Sequence, residues 1–386
     1  MSRQGSAKIF FEIVGAFQVQ RLVKDAKTAG VVMKAILLDS VGGVVEAFQA
    51  TFEGINELVE EQIEAFREYE EQLIQVRKFY QGSEEAIASF AEAGRDLGET
   101  FAFSGAEALA AAANMAQMKT VLGEAEAVIT GTEMGLLFAE IGNMETQMAM
   151  KRLTSLMQQT HFAMGGLTAE TFRMLDAQEQ ANIVRGNTLR VLDQLNTIEN
   201  SSVATMEDMT FVLNQFASQA NLAGESMGDM ASLAAMLLEA GEETSRAGTG
   251  LRMMYSRLAV DGGDAAVAVA EVVPGLDAQT VSTMSLTEVI ERLVPHYEKM
   301  TDIEKVRLTQ AIAGNRHYVK LQKLIENNVR LTQLQEMAYT GTYGAIDEFE
   351  NRQESSLFAM ERAEAILQNL RAEIGDNLAQ AYIKAM

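Results

Sequence analysis

Cysteine and tryptophan are absent from this chain of 386 residues, and proline occurs only twice. The missing thiols exclude a disulfide framework, a thiolate metal site and a cysteine nucleophile, and they leave the redox compartment unspecified. The near absence of proline removes the strongest helix breaker. Positive charge is also short: 31 Lys and Arg stand against 54 Asp and Glu, a formal net charge of −23. An acidic surface repels a phosphate backbone, so duplex binding would need a local basic patch. The densest basic stretch, Arg316 to Lys323 with Lys320 between them, spreads three charges along a helical pattern flanked by Glu304 and Glu326. It reads as a solvated helix face, and sequence-specific nucleic-acid binding is not expected.

Long apolar runs are missing too. The alanine-rich candidate, Ala108 to Met118, stops at Lys119 after 11 residues, well short of the ~18 that a membrane span needs. Near the N-terminus Glu12 interrupts an apolar run, and no small-residue cleavage site precedes Arg21 and Lys24. Residues 1–20 therefore read as a helix start and not as a signal peptide.

What is present favours helix. Ala, Glu, Leu, Met and Gln dominate, residues that lose little side-chain freedom on entering a helix, and the 48% of hydrophobic residues can build a core. Period-2 alternation of β-branched residues is nowhere sustained, so the chain is expected to be all-α. From Phe48 to Val76 the apolar residues keep heptad spacing: Phe52, Val59, Phe66 and Leu73 on one row, Ile55, Tyr69 and Val76 three places further on, with one interruption at Gln62. Two partners suit this seam, a helix of another copy or the chain's own domain.

After Gly82 the pattern shortens to helices of 10 to 18 residues. Ser104-x-x-Glu107, Ser226-x-x-Asp229, Ser285-x-x-Glu288 and Thr301-x-x-Glu304 each precede an apolar run and mark helix starts, because a hydroxyl there accepts from an orphan amide. Breaks are expected at Gly94 and Gly98, Gly123, Gly131, Gly165-Gly166, Gly224, Gly241, Gly248-Thr249-Gly250, Asp261 to Asp264, Pro274-Gly275 and Gly314. From Ile346 a long helical pattern resumes and runs to Met386 without a capping signal, as in a truncated helix. The expected architecture is thus a long coiled-coil-like lead over 1–82, a multi-helix domain over 83–340, and the start of a second long helix over 341–386, together an elongated helical protein.

Little in the chain carries chemistry. Gly224-Glu225-Ser226-Met227-Gly228 matches the G-x-S-x-G elbow of serine hydrolases, but that elbow needs a strand before the serine and an acid and histidine after it. Helical patterns lie on both sides here, and Ser226 is better used as a helix cap. His161, His296 and His317 are far apart and form no zinc-binding spacing. Asp261-Gly-Gly-Asp264 lacks the alternating oxygen ligands of a calcium loop and reads as a polar turn. No phosphate-cradling glycine motif occurs, and no cofactor or metal is expected. The 23 methionines, Met144, Met148 and Met157 among them, sit at helical spacings and read as core, with an adaptable binding surface as the rival use. Gly94-x-x-x-Gly98, Gly131-x-x-x-Gly135 and Gly224-x-x-x-Gly228 would allow close helix approach if they lay inside helices, and would otherwise be turns.

Residues 65–340 carry an ordered series of blocks. Ala65 to Val76 leads to Gly82-Ser-Glu-Glu85, Ala93-Gly-Arg-Asp-Leu-Gly98 and Phe101-Ala-Phe-Ser-Gly-Ala-Glu-Ala-Leu109. Next come Asn214-Gln-Phe-Ala217, Ala220-Asn-Leu-Ala-Gly224, Met230 to Gly241, and Ala247-Gly-Thr-Gly-Leu-Arg-Met-Met-Tyr-Ser-Arg-Leu258. Leu286 to Leu293 and Ile312-Ala-Gly-Asn-Arg316 close the series. In order and spacing these blocks resemble the helical region of phage tail tape-measure proteins. The most specific is the one holding Gly248, Gly250, Leu251, Arg252 and Leu258. Two departures are Ala313 to Arg316, where the family often has Phe-Gly, and the longer turn Gln117 to Gly123.

The resemblance implies a non-enzymatic virion component that forms a three- or six-fold homo-oligomer. Such a protein occupies the tail lumen or tip, sets tail length during assembly in the host cytoplasm, and assists DNA ejection. Its implied partners are tail tube proteins, tip or baseplate proteins and tail assembly chaperones, with host membrane contact through parts outside this chain. At about 1.5 Å per residue, an unbroken helix of this whole chain would reach about 580 Å, short for a complete ruler and in keeping with a fragment. The competing reading is a helical secreted or membrane-interacting protein without catalytic activity.

Overall fold

The computed structural model of the chain describes residues 44–341 and 344–385, with side chains from 59 to 341 and from 344 to 380. The expected helix over 1–20 and the seam side chains of Phe52 and Ile55 lie outside that range. Among the described residues there are nineteen α-helices and no strand, so the all-α expectation holds. In chain order they are α1 Val44–Tyr80, α2 Glu84–Phe101, α3 Gly105–Ala116, α4 Lys119–Leu122, α5 Ala125–Ile141, α6 Thr146–Thr160, α7 Ala169–Arg173, α8 Ala177–Ser201, α9 Met206–Leu222 and α10 Met227–Glu239. They continue as α11 Thr244–Leu258, α12 Asp264–Val272, α13 Ala278–Ser282, α14 Leu286–Tyr297, α15 Asp302–Ala313, α16 Tyr318–Glu326, α17 Asn328–Thr340, α18 Ala345–Gln353 and α19 Ser356–Ala385.

The helix starts follow the capping chemistry read in the sequence. Ser104, Ser285 and Thr301 each accept a hydrogen bond from the backbone amide three residues on, while the glutamate there reaches back to the cap amide. Ser226 accepts from the Asp229 amide at 3.1 Å, but the Asp229 side chain is used elsewhere. Asp176 and Thr205 cap α8 and α9 in the same way. The pattern from Ile346 is not one helix: it breaks after Gln353, and the Ser355 hydroxyl accepts from the Phe358 amide at 3.1 Å to start α19.

The expected breaks fall into two groups. Gly123, Gly224, Gly241 and Gly314 do end helices. Gly94, Gly98, Gly131, Gly248 and Gly250 instead lie inside helices. Their lack of a side chain serves packing, not turning. A Cβ on Gly94 would come within 2.7 Å of Leu109, one on Gly98 within 2.7 Å of the Phe103 carbonyl, and one on Gly131 within 3.0 Å of Met115. The first two spaced glycine pairs are therefore contact faces inside helices, while Gly224 stands at a corner.

The chain divides into two compact units. Of the described residues, the first comprises 44–71 together with 366–385. In it α1 lies against α19: a Cβ on Gly375 would sit 2.0 Å from the Gln62 carbonyl oxygen and 2.7 Å from Phe66 Cβ. Arg371 pairs with Glu61 at 3.1 Å. The heptad interruption at Gln62 thus coincides with a close backbone approach. Phe66 of the seam meets a helix of its own chain there, Tyr69 is buried, and Val59 remains 37% exposed.

The second unit, Gln72–Ala365, holds the rest of the seam, with Val76 fully buried and Leu73 half-buried. Its centre is α8, which packs on α5, α10 and α17, while α9 lies between α6 and α11. Most described methionines, including Met144, Met150, Met157, Met209 and Met230, are buried in this core, whereas Met148 is exposed. Lys320 corrects the solvated-face reading of Arg316 to Lys323. It is 7% exposed and pairs with Glu242 at 3.0 Å, and Lys323 reaches the same carboxylate at 2.7 Å. Burial works against that carboxylate, yet Lys323 and Lys320 together hold its pKa below the ordinary range.

Candidate functional site

The Gly224 to Gly228 segment is a corner between two helices. Gly224 takes φ +78° after α9, the left-handed conformation that glycine adopts without strain, and the Glu225 amide donates to the Ala220 carbonyl at 3.0 Å. Ser226 then caps α10, so the first glycine closes one helix and the serine opens the next. Buried Gly228 lets Gln194 and Ala338 approach its α-carbon.

Around this corner between α9 and α10 the two acids reach three further helices. The Glu225 carboxylate, 5% exposed, accepts through Oε2 from the Tyr255 hydroxyl of α11 and, at 3.3 Å, from the Thr287 amide of α14. Asp229 accepts from the Tyr339 hydroxyl at 2.8 Å and from the Gln335 amide at 3.0 Å, both on α17, and from the Ser226 hydroxyl at 2.6 Å. Gln335 also donates to the Thr287 hydroxyl at 3.3 Å. Burial pushes the Glu225 carboxyl above the usual range against the opposing pull of its Tyr255 and Thr287 hydrogen bonds. Burial also raises the Tyr255 phenol, with Glu225 adding to it, and pushes Tyr339 up to about 12.

No hydrolase elbow is assembled here. The serine follows a helix, and its hydroxyl is engaged by Asp229 and Tyr339. His161 lines the same cavity as Ser226, but no hydrogen bond joins the two among the described residues. His296 sits in the last turn of α14, and His317 precedes α16, where burial and the charges of Lys320 and Arg316 depress its pKa. The Asp261 to Asp264 stretch is a turn leading into α12. Among the described residues, no three His, Asp or Glu side chains come together as a metal site. We expect Ser226→Ala to cost about 1 kcal/mol in urea unfolding through the lost cap. Neither protein should turn over a simple aryl ester; turnover lost on substitution would restore the hydrolase reading.

The Gly248 to Leu258 block has a packing role that its sequence does not announce. It forms α11, with Leu251 and Leu258 buried and Arg252 exposed. A Cβ on Gly248 would lie 2.7 Å from Cδ and 2.9 Å from Cβ of Gln215 on α9, and one on Gly250 would lie 2.6 Å from Cδ of Lys320. The two glycines let α9 and the buried Lys320 close on one helix.

The sequence model of the phage-related minor tail protein family matches residues 91–314. The chain belongs to this family. No curated protein and no solved structure matches it. As a minor tail protein the chain is a structural component of the phage tail. The matched stretch contains the Ser226 corner, the Glu225, Tyr255 and Thr287 part of the junction and the whole Gly248 to Leu258 block. Gln335 and Tyr339 lie beyond it.

Proposed function

We propose that this minor tail protein is a tape-measure protein or a segment of one, a non-enzymatic component that helps set tail length and accompanies DNA ejection. The observation that carries this reading is the family match over 91–314 on a chain whose ordered blocks resemble those of tape-measure proteins. The physical chemistry agrees, since helical residues convert sequence length to distance almost linearly. In this reading the chain works in the tail lumen or tip as a three- or six-fold oligomer, against tube and tip proteins, after delivery by assembly chaperones. The acidic surface and the exposed end of the α1 seam at Val59 are its means of association, since Phe66, Tyr69 and Val76 are packed within the chain itself. Among the described residues no helix is long and apolar enough to cross a membrane.

Tail length is the test. Deleting about four heptads, residues 52–79, should shorten tails by about 40 Å if α1 belongs to the ruler. Tails of unchanged length that still contain the shortened chain would count against the reading. Three or six copies per virion within the tube would support it, and a location outside the tail would overturn it.

A further inference from the structure

α19 carries two apolar faces, and the described residues cover one of them. Phe358, Ala365 and Ala372, seven residues apart, are buried, together with Gly375. Met360, Leu367 and Ile374 repeat the same spacing two places on, which is about 200° around a helix. Ala363, Leu370 and Asn377 run three places further, so this opposite face has the two rows of a coiled-coil seam. It is open: Met360 is 70% exposed, Leu367 47% and Leu370 50%, with Ala363 exposed and Ile374 half-buried. A helix that is apolar on opposite sides is built to lie between two neighbours. Among the described residues, only the Phe358 to Ala372 side is buried.

We propose that the open face of α19 docks α19 of a second copy of this chain, antiparallel about a two-fold axis. Charge and packing fix that choice. Glu364 and Arg371, opposite in sign, stand seven residues apart on one flank of the seam. With Leu367 against the partner's Leu370 in an antiparallel pair, each Glu364 faces the partner's Arg371, and the two-fold makes the contact twice. The same register sets Ala363 against the partner's Ile374, small against large, which fills the layer at interior density. Sliding by one heptad either way brings Glu364 to the partner's Glu364 or Arg371 to the partner's Arg371, and like charges oppose both slips. A parallel pair would leave both charges beside Ala359 and Ile366 and stack alanine on alanine. Arg371 already meets Glu61 of its own chain at 3.1 Å, and a guanidinium has donors for a second carboxylate. Copies that run one way along a tail lumen could not keep this contact, so on the reading proposed above the pair belongs to the chain before assembly. The docking itself does not rest on that reading.

The test is sedimentation equilibrium of the full chain from about 1 to 100 µM, because a seam of about 27 Å suits micromolar pairing. A monomer–dimer equilibrium is expected. Leu367→Glu with Leu370→Glu should weaken it at least tenfold, and Glu364→Arg, which sets arginine against the partner's Arg371, should weaken it about tenfold. Both leucines are about half exposed, so their exchange should leave the helical circular dichroism unchanged. The natural chain has no cysteine, which makes a second readout clean. A Leu367→Cys chain mixed with a mass-tagged Leu370→Cys chain and oxidised gently should give the mixed disulfide in at least fivefold excess over either symmetric one. A monomer throughout the range, the outcome if another segment or another protein covers this face, would overturn the proposal. So would a dimer indifferent to the paired glutamates, or a Leu367→Cys chain that links to itself as readily as to Leu370→Cys, the mark of parallel pairing. The disulfide comparison stands even if a glutamate variant fails to fold, and neither readout depends on tail length.

Discussion

Replacing Arg352 with alanine is expected to lower the stability of the larger unit by about 3 kcal/mol, seen as a fall in Tm of about 5–10 °C. Arg352, on α18, is a tether to α5. Its Nε lies 2.8 Å from Oε2 of Glu140, and its Nη1 donates to the Glu140 backbone carbonyl at 2.9 Å. The Nε contact is close but poorly aligned for a hydrogen bond, so its attraction is chiefly coulombic. Glu140 is 7% exposed, and removing the arginine strands a buried carboxylate near the end of α5. The arginine is itself about one-third exposed, which places the loss at the lower end of the range for broken buried pairs.

The pH dependence gives that substitution a signature. Burial raises the Glu140 carboxyl, Arg352 opposes the rise, and Glu361 adds to it. An acid whose folded pKa is raised binds more protons folded than unfolded, so its contribution to stability falls as pH climbs from the ordinary carboxylate range through the raised value. Without Arg352 the raised value moves higher still. The gap between the variant and the parent should therefore be widest at neutral pH and close toward acid, and Glu140→Gln added to Arg352→Ala should recover part of the loss. A variant equal to the parent at neutral pH would mean that water has replaced the arginine.

Helix starts were legible because their chemistry is local. A serine or threonine three residues before an acid presents two side-chain acceptors to the same two backbone amides whatever the rest of the fold does, and Ser104, Ser285 and Thr301 behave accordingly. The in-helix glycines were not legible. Whether Gly131 stops a helix or admits a neighbour depends on Met115 arriving from another helix, and nothing within Gly131's own turn encodes that. Lys320 was misread for a similar reason, since a charge on a helical pattern looks solvated until Glu242 is brought to it from α11's approach. The polar junction was out of reach altogether. Tyr339 meets Asp229 across 110 residues of chain, and each of its members is ordinary within its own helix. The one local signal was Glu225, an acid wedged between a helix-ending glycine and a helix-starting serine, where the chain turns inward.

Gly248→Leu should be the most damaging exchange in the block that marks the resemblance. α9 and α11 pack along much of their length, and Gly248 sits at their crossing with Gln215 over its α-carbon. The nearest atoms include Cβ of Gln215, which cannot swing away without moving α9 itself. Even alanine there should cost about 1–3 kcal/mol, and leucine more, because a close-packed core answers added volume with backbone shifts. Gly250 offers the contrast. Its obstacle is Cδ of Lys320, partway along a flexible stem, so Gly250→Ala should cost less than Gly248→Ala, provided that Lys320 keeps Glu242. Urea midpoints of the two alanine variants decide the matter. Equal losses, or the larger loss at Gly250, would show that the lysine and not the α9 crossing sets the limit. If Gly248→Ala is the worse variant, the first glycine of Gly-Thr-Gly is there to let two helices touch, and the motif is a packing signature with no binding role of its own.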